Sequence, residues 1–493
     1  RMRKSLVYKI FGIVIVGFWL FVMAELVKKT HFSPKSADLT QSTEKRLPPG
    51  SSENWMEILC KGRKVGYTVT RVTKIKKEFE VREEIFLTVN LMGSVQKIMS
   101  CTRAMVDEQF LLNRFDFSLC SDLITFKISG QIEGNSLSLV MGEPGKEQIQ
   151  LINLPERPMI SAGLTQFFKP RTLKIGESFR FPLFDPASMT TNPAIVKVVA
   201  KEKIKLHDQT YKAFRLEMNF LGRPLVFWLD EEGVPLKEKG FMGFTLVRSN
   251  PIRAQLDFDE SKKLDFYDLS AIRVKKKLKS ARKLSYLRVE LNHVPASLSI
   301  DNTRQSLNGR ILSVTKESPP FTASYALPYG GNDNELLYYL DPEFLVQSED
   351  KEIKGLAKAI VKDTTDPLAA ARMIMGWVFE NIDKVPVVSI PDAKAILTHR
   401  KGDCNEHATL LTALLRAVGV PARIVVGLVY KDGKFYYHAW NEAYLDRWIS
   451  LDAVLNQMPA DATHIKLVDG GIEKQIQIVG TIGTLAVTIL DYR

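Results

Sequence analysis

The chain of 493 residues carries 68 lysines and arginines against 56 aspartates and glutamates, a net charge of +12. Hydrophobic residues make up 45% and charged residues 25% of the composition, which allows two or three domains with sizeable cores and solvated surfaces. Nothing beyond residue 27 approaches a run of about 18 apolar residues, so a protein with several membrane-spanning helices is excluded.

Residues 1–27 have the pattern of a membrane segment. Residues 10–24 contain no charge, and basic residues flank the run on both sides: Arg1, Arg3, Lys4, Lys9, Lys28 and Lys29. This length and charge order predict a marginal transmembrane helix with a cytoplasmic N-terminus. A signal peptide cleaved after Ala24 is the alternative, but small residues are few there, so we favour an uncleaved anchor. In both cases the bulk of the chain is expected outside the membrane, facing a bacterial periplasm or cell envelope, and a cleaved protein would be secreted.

A flexible linker and then a β-rich domain are predicted after this segment. Residues 28–52 are rich in serine, threonine, proline, glycine and charges, as is typical of a tether. Short alternating runs dominate residues 53–265, for example 65–72, 79–89, 123–132 and 241–247, separated by turn signals. We interpret this region as an antiparallel β domain. It shows no catalytic signature, so a binding or spacer role is expected.

Three of the four cysteines fall within this β-rich region: Cys60, Cys101 and Cys120. If residues 95–106 and 110–119 form a hairpin turning near Glu108, Cys101 faces residue 115. Cys120 would then lie about five residues, or about 17 Å, further along the strand, too far for a disulfide. Other strand pairings would allow a bridge, so the disulfide state of these cysteines stays open.

Residues 266–340 are predicted to connect the two halves of the chain. They include a strand at 286–291 and, at 273–283, seven basic residues with no acidic one: Arg273, Lys275, Lys276, Lys277, Lys279, Arg282 and Lys283. Such a run binds nucleic acid or anionic lipid, or forms a solvated face. Since an exported protein rarely meets nucleic acid, we expect no nucleic-acid partner; a lipid or polyanion contact stays an alternative.

Residues 404–418 predict a helix that presents a cysteine at its first turn. Apolar residues recur at helical spacing, Asp403 is a suitable N-cap, and Gly419 is expected just past the end. Cys404 would lie beside unpaired N–H groups at the positive end of the helix dipole, which favours thiolate over thiol. A buried structural cysteine is the plain alternative.

An antiparallel meander is predicted directly after this helix. Strands are expected at 423–430, 434–445 and 448–454, with a hairpin turn at Asp432-Gly433. If the last two strands turn near residue 445 or 446, His438 lies opposite Asp452 or about two residues from it, on the same face of the sheet. A thiol, a base and an orienting carboxylate are what a cysteine nucleophile needs, so we predict Cys404, His438 and Asp452 as catalytic residues.

These motifs resemble the transglutaminase-like superfamily, relatives of papain-type cysteine proteases. The matching segments are Gly402-Asp403-Cys404-Asn405-Glu406-His407-Ala408, His438-Ala439-Trp440-Asn441-Glu442 and Trp448-Ile449-Ser450-Leu451-Asp452, preceded by a helix-like run at 366–382. The resemblance covers about residues 340–465, within a predicted domain at 341–493. It implies that Cys404 is the nucleophile, His438 the base and Asp452 the orienting carboxylate. The family holds cross-linking enzymes, peptidases, deamidases, amidases and inactive members, so it implies acyl transfer without a substrate.

Other assignments of the same residues stay open. Cys404, His407, His438 and Asp452 could together hold zinc, but no second cysteine pair supports this, and no metal or cofactor is predicted. His407 is expected to be a hydrogen-bonded core histidine rather than a catalytic group. Trp440 is expected to pack beside the imidazole of His438. The side chain that completes an oxyanion hole is not identified, and neither His399 nor Arg400 is assigned to it.

The sequence therefore predicts an α+β protein: a transglutaminase-like domain behind an antiparallel β-rich domain and a membrane or signal segment. Its expected activity is thiol-dependent acyl transfer on a peptide or protein amide. Hydrolysis is favoured over cross-linking because water needs no second, amine-binding site. The rival hypothesis is a non-enzymatic envelope scaffold that retains the fold. The substrate and the oligomeric state are not predicted.

Overall fold

The computed structural model describes residues 52–122, 124–142, 147–169, 171–220, 223–240, 242–256, 264–295, 298–318 and 323–493. The predicted membrane segment and nearly all of the linker lie outside these residues. The chain divides into two compact units, a first that ends at Leu264 and a second that runs from Asp265 to Arg493. Among the helices of the described residues, none has the length and apolar character needed to cross a membrane.

The first unit is built almost entirely of strands, as its alternating sequence predicts. Their bounds are β1 Ser52–Cys60, β2 Arg63–Ile75, β3 Glu78–Leu91, β4 Ser94–Val106, β5 Leu112–Ser121, β6 Thr125–Glu133, β7 Ser136–Met141, β8 Gln148–Asn153, β9 Met159–Ile160, β10 Ser178–Asp185, β11 Thr190–Leu206, β12 Gln209–Phe220, β13 Arg223–Asp230, β14 Pro235–Lys239 and β15 Phe244–Ser249. A short helix, α1 Pro251–Gln255, follows, and a 3₁₀ segment spans Ser161–Phe168.

All fifteen strands belong to one sheet, in the order β8 to β1, then β15 down to β9. Neighbouring strands are antiparallel except β9 and β10, which are parallel. The 3₁₀ segment is held against the sheet by aromatic packing: the ring centroids of Phe167 and Phe181 lie 4.8 Å apart, and those of Phe168 and Phe179 5.5 Å. These edge-to-face pairs fix the segment over one face of the sheet.

The predicted register of the β4–β5 hairpin is wrong, although the hairpin itself forms. Cys101 pairs with Ser118 and not with residue 115, because the turn lies further along the chain and the ladder shifts between Met105 and Val106. Cys120 pairs with Met99, so the two cysteines are diagonal neighbours, two residues out of register. Neither forms a disulfide.

The second unit mixes helices and strands. Its strands are β16 Ile272–Arg273, β17 Tyr286–Asn292, β18 Gln305–Asn308, β19 Ile311–Thr315, β20 Asp383–Lys384, β21 Lys401–Gly402, β22 Ala422–Lys431, β23 Lys434–Tyr444, β24 Trp448–Leu451, β25 Ile465–Asp469 and β26 Ala486–Tyr492. Its helices are α2 Phe266–Ser270, α3 Asn334–Tyr338, α4 Lys351–Val361, α5 Pro367–Asn381, α6 Ala393–His399, α7 Cys404–Ala417 and α8 Ile472–Gln475.

Residues 266–340, predicted as a connector, contribute strands to the sheets of this unit. β16 pairs with β23 in an antiparallel sheet of order β16-β23-β22-β25, to which β24 is joined through β23. β17, β18 and β19 form a second sheet with the C-terminal β26. Segments far apart in sequence therefore share one core, which explains why the unit begins at Asp265.

The predicted meander and its preceding helices are present with small changes at their ends. Asp432 and Gly433 both have positive φ, 48° and 86°, the conformation expected for an Asp-Gly hairpin turn between β22 and β23. Helix α5 begins after the N-cap Asp366, whose carboxylate accepts the Leu368 N–H at 3.0 Å. Helix α7 ends at Ala417, and Gly419 follows with φ of +83°.

Candidate active site

Helix α7 presents Cys404 as its first residue, in the position that the sequence predicts. Asp403 is the N-cap and accepts the Asn405 N–H at 3.0 Å, while Glu406 accepts the Asp403 N–H at 2.9 Å. Ser389 also donates a hydrogen bond to Glu406. This reciprocal capping box fixes the start of the helix and hence the backbone that carries the thiol. Burial of Asp403, with Glu406 beside it, raises the pKa of the Asp403 carboxyl well above its usual range.

His438 lies in the middle of β23, beside a gap in the sheet. β22 pairs with the whole of β23 on one side. On the other side β16 pairs only with Lys434 and Phe435, and β24 only with residues 441–444. Among the described strands, none pairs with residues 436–440 on this side.

Asp452 follows β24 and meets His438 as the predicted register requires. Nε2 of His438 donates to Oδ2 of Asp452 at 2.7 Å, and both side chains are fully buried. Oδ1 of Asp452 accepts the backbone N–H groups of Val454 at 2.7 Å and Leu455 at 2.9 Å. With four hydrogen bonds in all, including one from His464 described below, this carboxylate is the central acceptor of the cluster.

Burial and pairing shift the pKa values of this pair. Burial alone would raise the pKa of Asp452, but His438 and His464 hold it well below its usual range. Burial lowers the pKa of His438, and the neighbouring Asp452 carboxylate opposes this only in part. Asp452 is therefore an ionised acceptor, and the resting imidazole of His438 favours its neutral form.

A third member of the cluster, His464, was missed by the sequence analysis. Its Nε2 donates to Oδ2 of Asp452 at 3.0 Å, and its Nδ1 donates to the Asp461 carbonyl at 3.2 Å. Both ring nitrogens thus face acceptors, as expected of an imidazolium. Burial opposes the charge, but Asp461 and Asp452 together raise the pKa of His464. Its place in a loop between β24 and β25 carries no periodic signal that could have revealed it.

One residue of the predicted basic run also belongs to this cluster. Nη1 of Arg282 donates to Oδ2 of Asp461 at 2.8 Å, and a second nitrogen donates to the Tyr430 carbonyl. Asp461 in turn holds His464, so Arg282 supports the site from outside. At this position the basic run is a structural element of the domain and not a solvated face.

His407 is a buried core histidine, as expected. Its Nδ1 donates to the Asp403 carbonyl of its own helix at 2.6 Å, and burial lowers its pKa to about 4.

Trp440 lies beside the site, its ring centroid 6.1 Å from that of His438 and 5.2 Å from that of His464. Arg400 donates to the Leu397 carbonyl at 2.7 Å and lies over the Trp377 ring.

The possible metal ligands differ from the set weighed in the sequence analysis. Within the described part of the chain, the metal-binding atoms that lie within 4.8 Å of one another belong to His438, Asp452 and His464, without Cys404 or His407. The same three groups are already satisfied as two N–H donors and one carboxylate acceptor. Hydrogen bonding therefore accounts for their arrangement without an ion.

Tyr267 on helix α2 lies close to the thiol. Burial raises the pKa of Tyr267 well above its usual range, and Tyr436, Cys404 and Asp403 add to the effect. The rings of Tyr267 and Tyr436 stack with centroids 4.3 Å apart. Cys404 is 0% exposed, so side chains around it have to move before a substrate can reach the sulfur.

Comparisons with known proteins give one family match and several distantly similar structures. Residues 354–453 match the model of the Transglutaminase-like superfamily. A candidate cysteine protease from Cytophaga hutchinsonii is 18% identical, over 43% of this chain and 86% of its own, with a TM-score of 0.28. A candidate protease from Parabacteroides distasonis is 11% identical, over 78% and 69%, with a TM-score of 0.20. A β-barrel-like domain of unknown function from Brucella abortus is 11% identical, over 42% and 99%, with a TM-score of 0.31.

No curated protein sequence is significantly similar to the chain. The family match nevertheless spans α5, α6, α7, β22, β23 and β24, and includes Cys404, His438 and Asp452. The second unit therefore contains a transglutaminase-like domain, the family that the sequence motifs resemble.

Proposed function

We propose that the protein is a thiol-dependent acyltransferase that cleaves or transfers peptide or protein amides, with Cys404 as nucleophile, His438 as base and Asp452 as orienting carboxylate. The observation that carries the proposal is the buried hydrogen bond of 2.7 Å between Nε2 of His438 and Oδ2 of Asp452. A carboxylate in this position selects one tautomer of the imidazole and stabilises its protonated form. The capped helix start at Cys404 supports the same role for the thiol.

The proton path follows from which ring nitrogen is engaged. Because Nε2 of His438 donates to Asp452, Nδ1 is the atom that accepts the proton of the Cys404 thiol. The thiolate then attacks the amide carbonyl carbon, and a carbon–sulfur bond forms. Nδ1–H of the imidazolium gives its proton to the amine as the carbon–nitrogen bond breaks, which leaves a thioester.

Hydrolysis completes the cycle in the simplest version of the reaction. Nδ1 of His438 takes a proton from water, the hydroxyl attacks the thioester, and the thiol leaves with that proton. The product is a free carboxylic acid, and the enzyme returns to its starting state. An amine in place of water would give a cross-linked amide. Hydrolysis is preferred because it needs no second binding site for the acceptor.

We further propose that the protein acts outside the cytoplasmic membrane, held there by residues 1–27. The support is the charge pattern of that segment, an uncharged run between basic residues. Such a location would give the enzyme peptides or proteins of the cell envelope as substrates.

The test is acyl-enzyme trapping with the full-length protein. Wild type, Cys404→Ala and Cys60→Ala are incubated with a peptide-amide library and with an envelope extract, and turnover and adducts are measured by mass spectrometry. We expect an adduct on the Cys404 peptide in wild type and Cys60→Ala, and no turnover in Cys404→Ala. Cys60 is the matched control, since it is also fully buried. Turnover by Cys404→Ala at the wild-type rate would contradict the assignment of Cys404 as nucleophile and would favour the scaffold hypothesis.

A further inference from the structure

The first unit contains a cavity of about 120 Å³ on one face of its sheet. Side chains from β1, β2 and β3, and from β12 to β15, form its wall, and these seven strands are neighbours in the sheet. The 3₁₀ segment Ser161–Phe168 adds Ser161, Ala162 and Thr165. The sequence showed no catalytic signature in this region, and nothing in the proposed thiol chemistry uses the cavity.

Two carboxyl side chains, Glu83 on β3 and Glu238 on β14, point into this cavity. Neither forms a salt bridge with any residue of the described chain. Burial raises the pKa of each to about 7, and for Glu83 the nearby Glu238 and Asp185 add to the effect. Both side chains are half-buried, and a carboxyl in such a place without a paired cation is costly to ionise, so the cavity favours a positively charged occupant.

Thr68 on β2 gives an independent sign of a missing ligand. It lines the cavity and is only 6% exposed, yet its Oγ1 has no hydrogen-bond partner. Buried hydroxyl groups in folded proteins are nearly always hydrogen-bonded, because an unmade bond costs free energy. A ligand with an N–H donor in the cavity would satisfy this oxygen.

The strand register brings Glu83 and Thr68 together, and Glu238 reaches the same cavity from β14. Glu83 pairs directly with Thr70, so it lies diagonally across from Thr68 on the same face of the sheet, within reach of a long side chain. Glu238 lies between Phe227 and Leu246 in the ladder, and its charge acts on Glu83. Lys239 also lines the cavity, but its Nζ lies over the Trp228 ring, 5.6 Å from the centroid. The wall further holds the polar side chains Asn54, Thr70, Ser161 and Thr165, and the apolar side chains Met56, Ile58, Ile85, Met218, Leu225, Val226, Phe227, Pro235 and Leu246.

We propose that this cavity binds a primary ammonium group on a short alkyl chain, with Glu83, Glu238 and Thr68 as its three acceptors. An ammonium group has three N–H donors, one for each of these three acceptors. The alkyl chain fits the apolar wall. A cavity of about 150 Å³ holds benzene, so a chain of about four carbons fits the available volume.

A divalent metal ion fits the same walls less well. Calcium requires six to eight oxygen ligands, and magnesium a near-ideal octahedron of six. Both would need Glu83 and Glu238 ionised together among apolar side chains. One ammonium group satisfies the two carboxyls and the hydroxyl with a single charge. The natural ligand would be either a free alkylamine or a lysine side chain, because both carry an ammonium group at the end of a short alkyl chain.

The experiment is calorimetric titration of the full-length protein with n-butylammonium. Matched probes of similar size are n-butanol, which is neutral, and butyrate, which is anionic; calcium alone is a fourth arm. We expect saturable binding of n-butylammonium only. N-acetyl-lysine amide separates the sources: binding as tight as n-butylammonium assigns a protein side chain, and binding of n-butylammonium alone assigns a free amine. Both outcomes support the site.

Three variants locate the binding. Glu238→Gln and Thr68→Val should each weaken n-butylammonium binding, Glu238→Gln by about tenfold or more because it removes a charge-assisted bond. Glu232→Gln in the exposed β13–β14 turn is the matched control and should bind as wild type does. Circular dichroism checks that each variant is folded, and Glu83→Gln replaces any that is not. Equal binding of n-butanol, tighter binding of calcium, or unchanged affinity in folded Glu238→Gln and Thr68→Val would overturn the proposal.

Discussion

The pKa values of carboxyl groups in the two units are shifted in opposite directions. In the second unit Asp452 lies between two imidazoles and two backbone N–H groups, and its pKa falls well below the usual range. In the first unit burial raises the pKa values of Glu83, Glu238 and Asp185 to about 7. Burial acts on all four, so the neighbours decide the sign: cationic partners outweigh desolvation in one unit and are missing in the other.

The difference lies in whether a carboxyl group has cationic partners within the chain. The Asp452 cluster is satisfied within the chain, since each imidazole donates to it and Asp461 with Arg282 supports His464 from behind. Glu83 and Glu238 of the first unit share their cavity mainly with hydroxyl and apolar side chains, and Lys239 in its wall lies over the Trp228 ring.

The largest effect is expected when the satisfied carboxylate loses its charge. Asp452→Asn should reduce turnover by about three to four decades, because the imidazole of His438 loses its orienting anion. It should also lower the free energy of unfolding by about 3 kcal/mol, since two buried imidazoles lose a charged partner. Peptide-amide turnover and denaturant melts measure both. A variant as stable as wild type would show that Asp452 is not the central acceptor of the cluster.

The second experiment compares the two fully buried thiols. Burial raises the pKa of Cys60 to about 11, so its thiolate fraction at neutral pH is very small. Cys404, at the start of helix α7 and supported by His438, should alkylate with iodoacetamide at least about 100 times faster at pH 7. His438→Ala should reduce the Cys404 rate. Mass spectrometry of tryptic peptides gives each rate, and equal rates at both thiols would contradict the nucleophile assignment.

The third experiment removes the positive charge of His464. Its charge lowers the pKa of His438, so His464→Gln should move the His438 limb of the kcat/KM profile to higher pH. Turnover at the optimum should fall by about tenfold, because Asp452 loses a hydrogen-bond donor. A drop in activity with an unmoved pH profile would assign His464 a purely structural role.

The smallest effect is expected in the first unit and concerns stability. A pKa of about 7 in the folded state lies above that of an exposed glutamate, so the folded protein binds the proton more tightly. Stability is then full below about pH 4 and is lost as the pH rises through about 7. Glu238→Gln removes this loss and should gain on the order of 1 kcal/mol at pH 8 but nothing at pH 4. Melting curves at both pH values measure this difference, with Glu232→Gln as the control. If wild type and Glu238→Gln showed the same pH dependence of stability, the raised pKa of Glu238 would be contradicted.

The predictable features of the site were those whose partners are close in sequence. Asp403 caps the helix that starts one residue later, and Asp432-Gly433 turns the hairpin that sets the register of His438. That His438 and Asp452 lie on the same face of the sheet then followed from this register and from the period of two along a strand. His464 was not predictable, because it reaches Asp452 through an irregular loop that follows no period.

In the first unit, too, the local sequence pattern predicted the strands but not how they pair. Alternation predicted its strands, but one misplaced turn put Cys101 opposite residue 115 instead of Ser118. The role of residues 266–340 was also beyond local reasoning, since β16 and β17 find partners at β23 and β26, more than 150 residues away. Such pairings depend on loop lengths and turn positions, which a local sequence pattern does not reveal.

The alternating strands of the first unit, the capped start of helix α7 and the pairing of His438 with Asp452 could be predicted from the sequence, because neighbouring residues set propensity, caps and hairpin register. The folded structure was needed to see which distant groups lie together: His464 and Arg282 around Asp452 and Asp461, and Glu83, Glu238 and Thr68 around one cavity. The physical reason is that desolvation and charge pairing depend on distance in space, which chain order fixes only within an element or a hairpin.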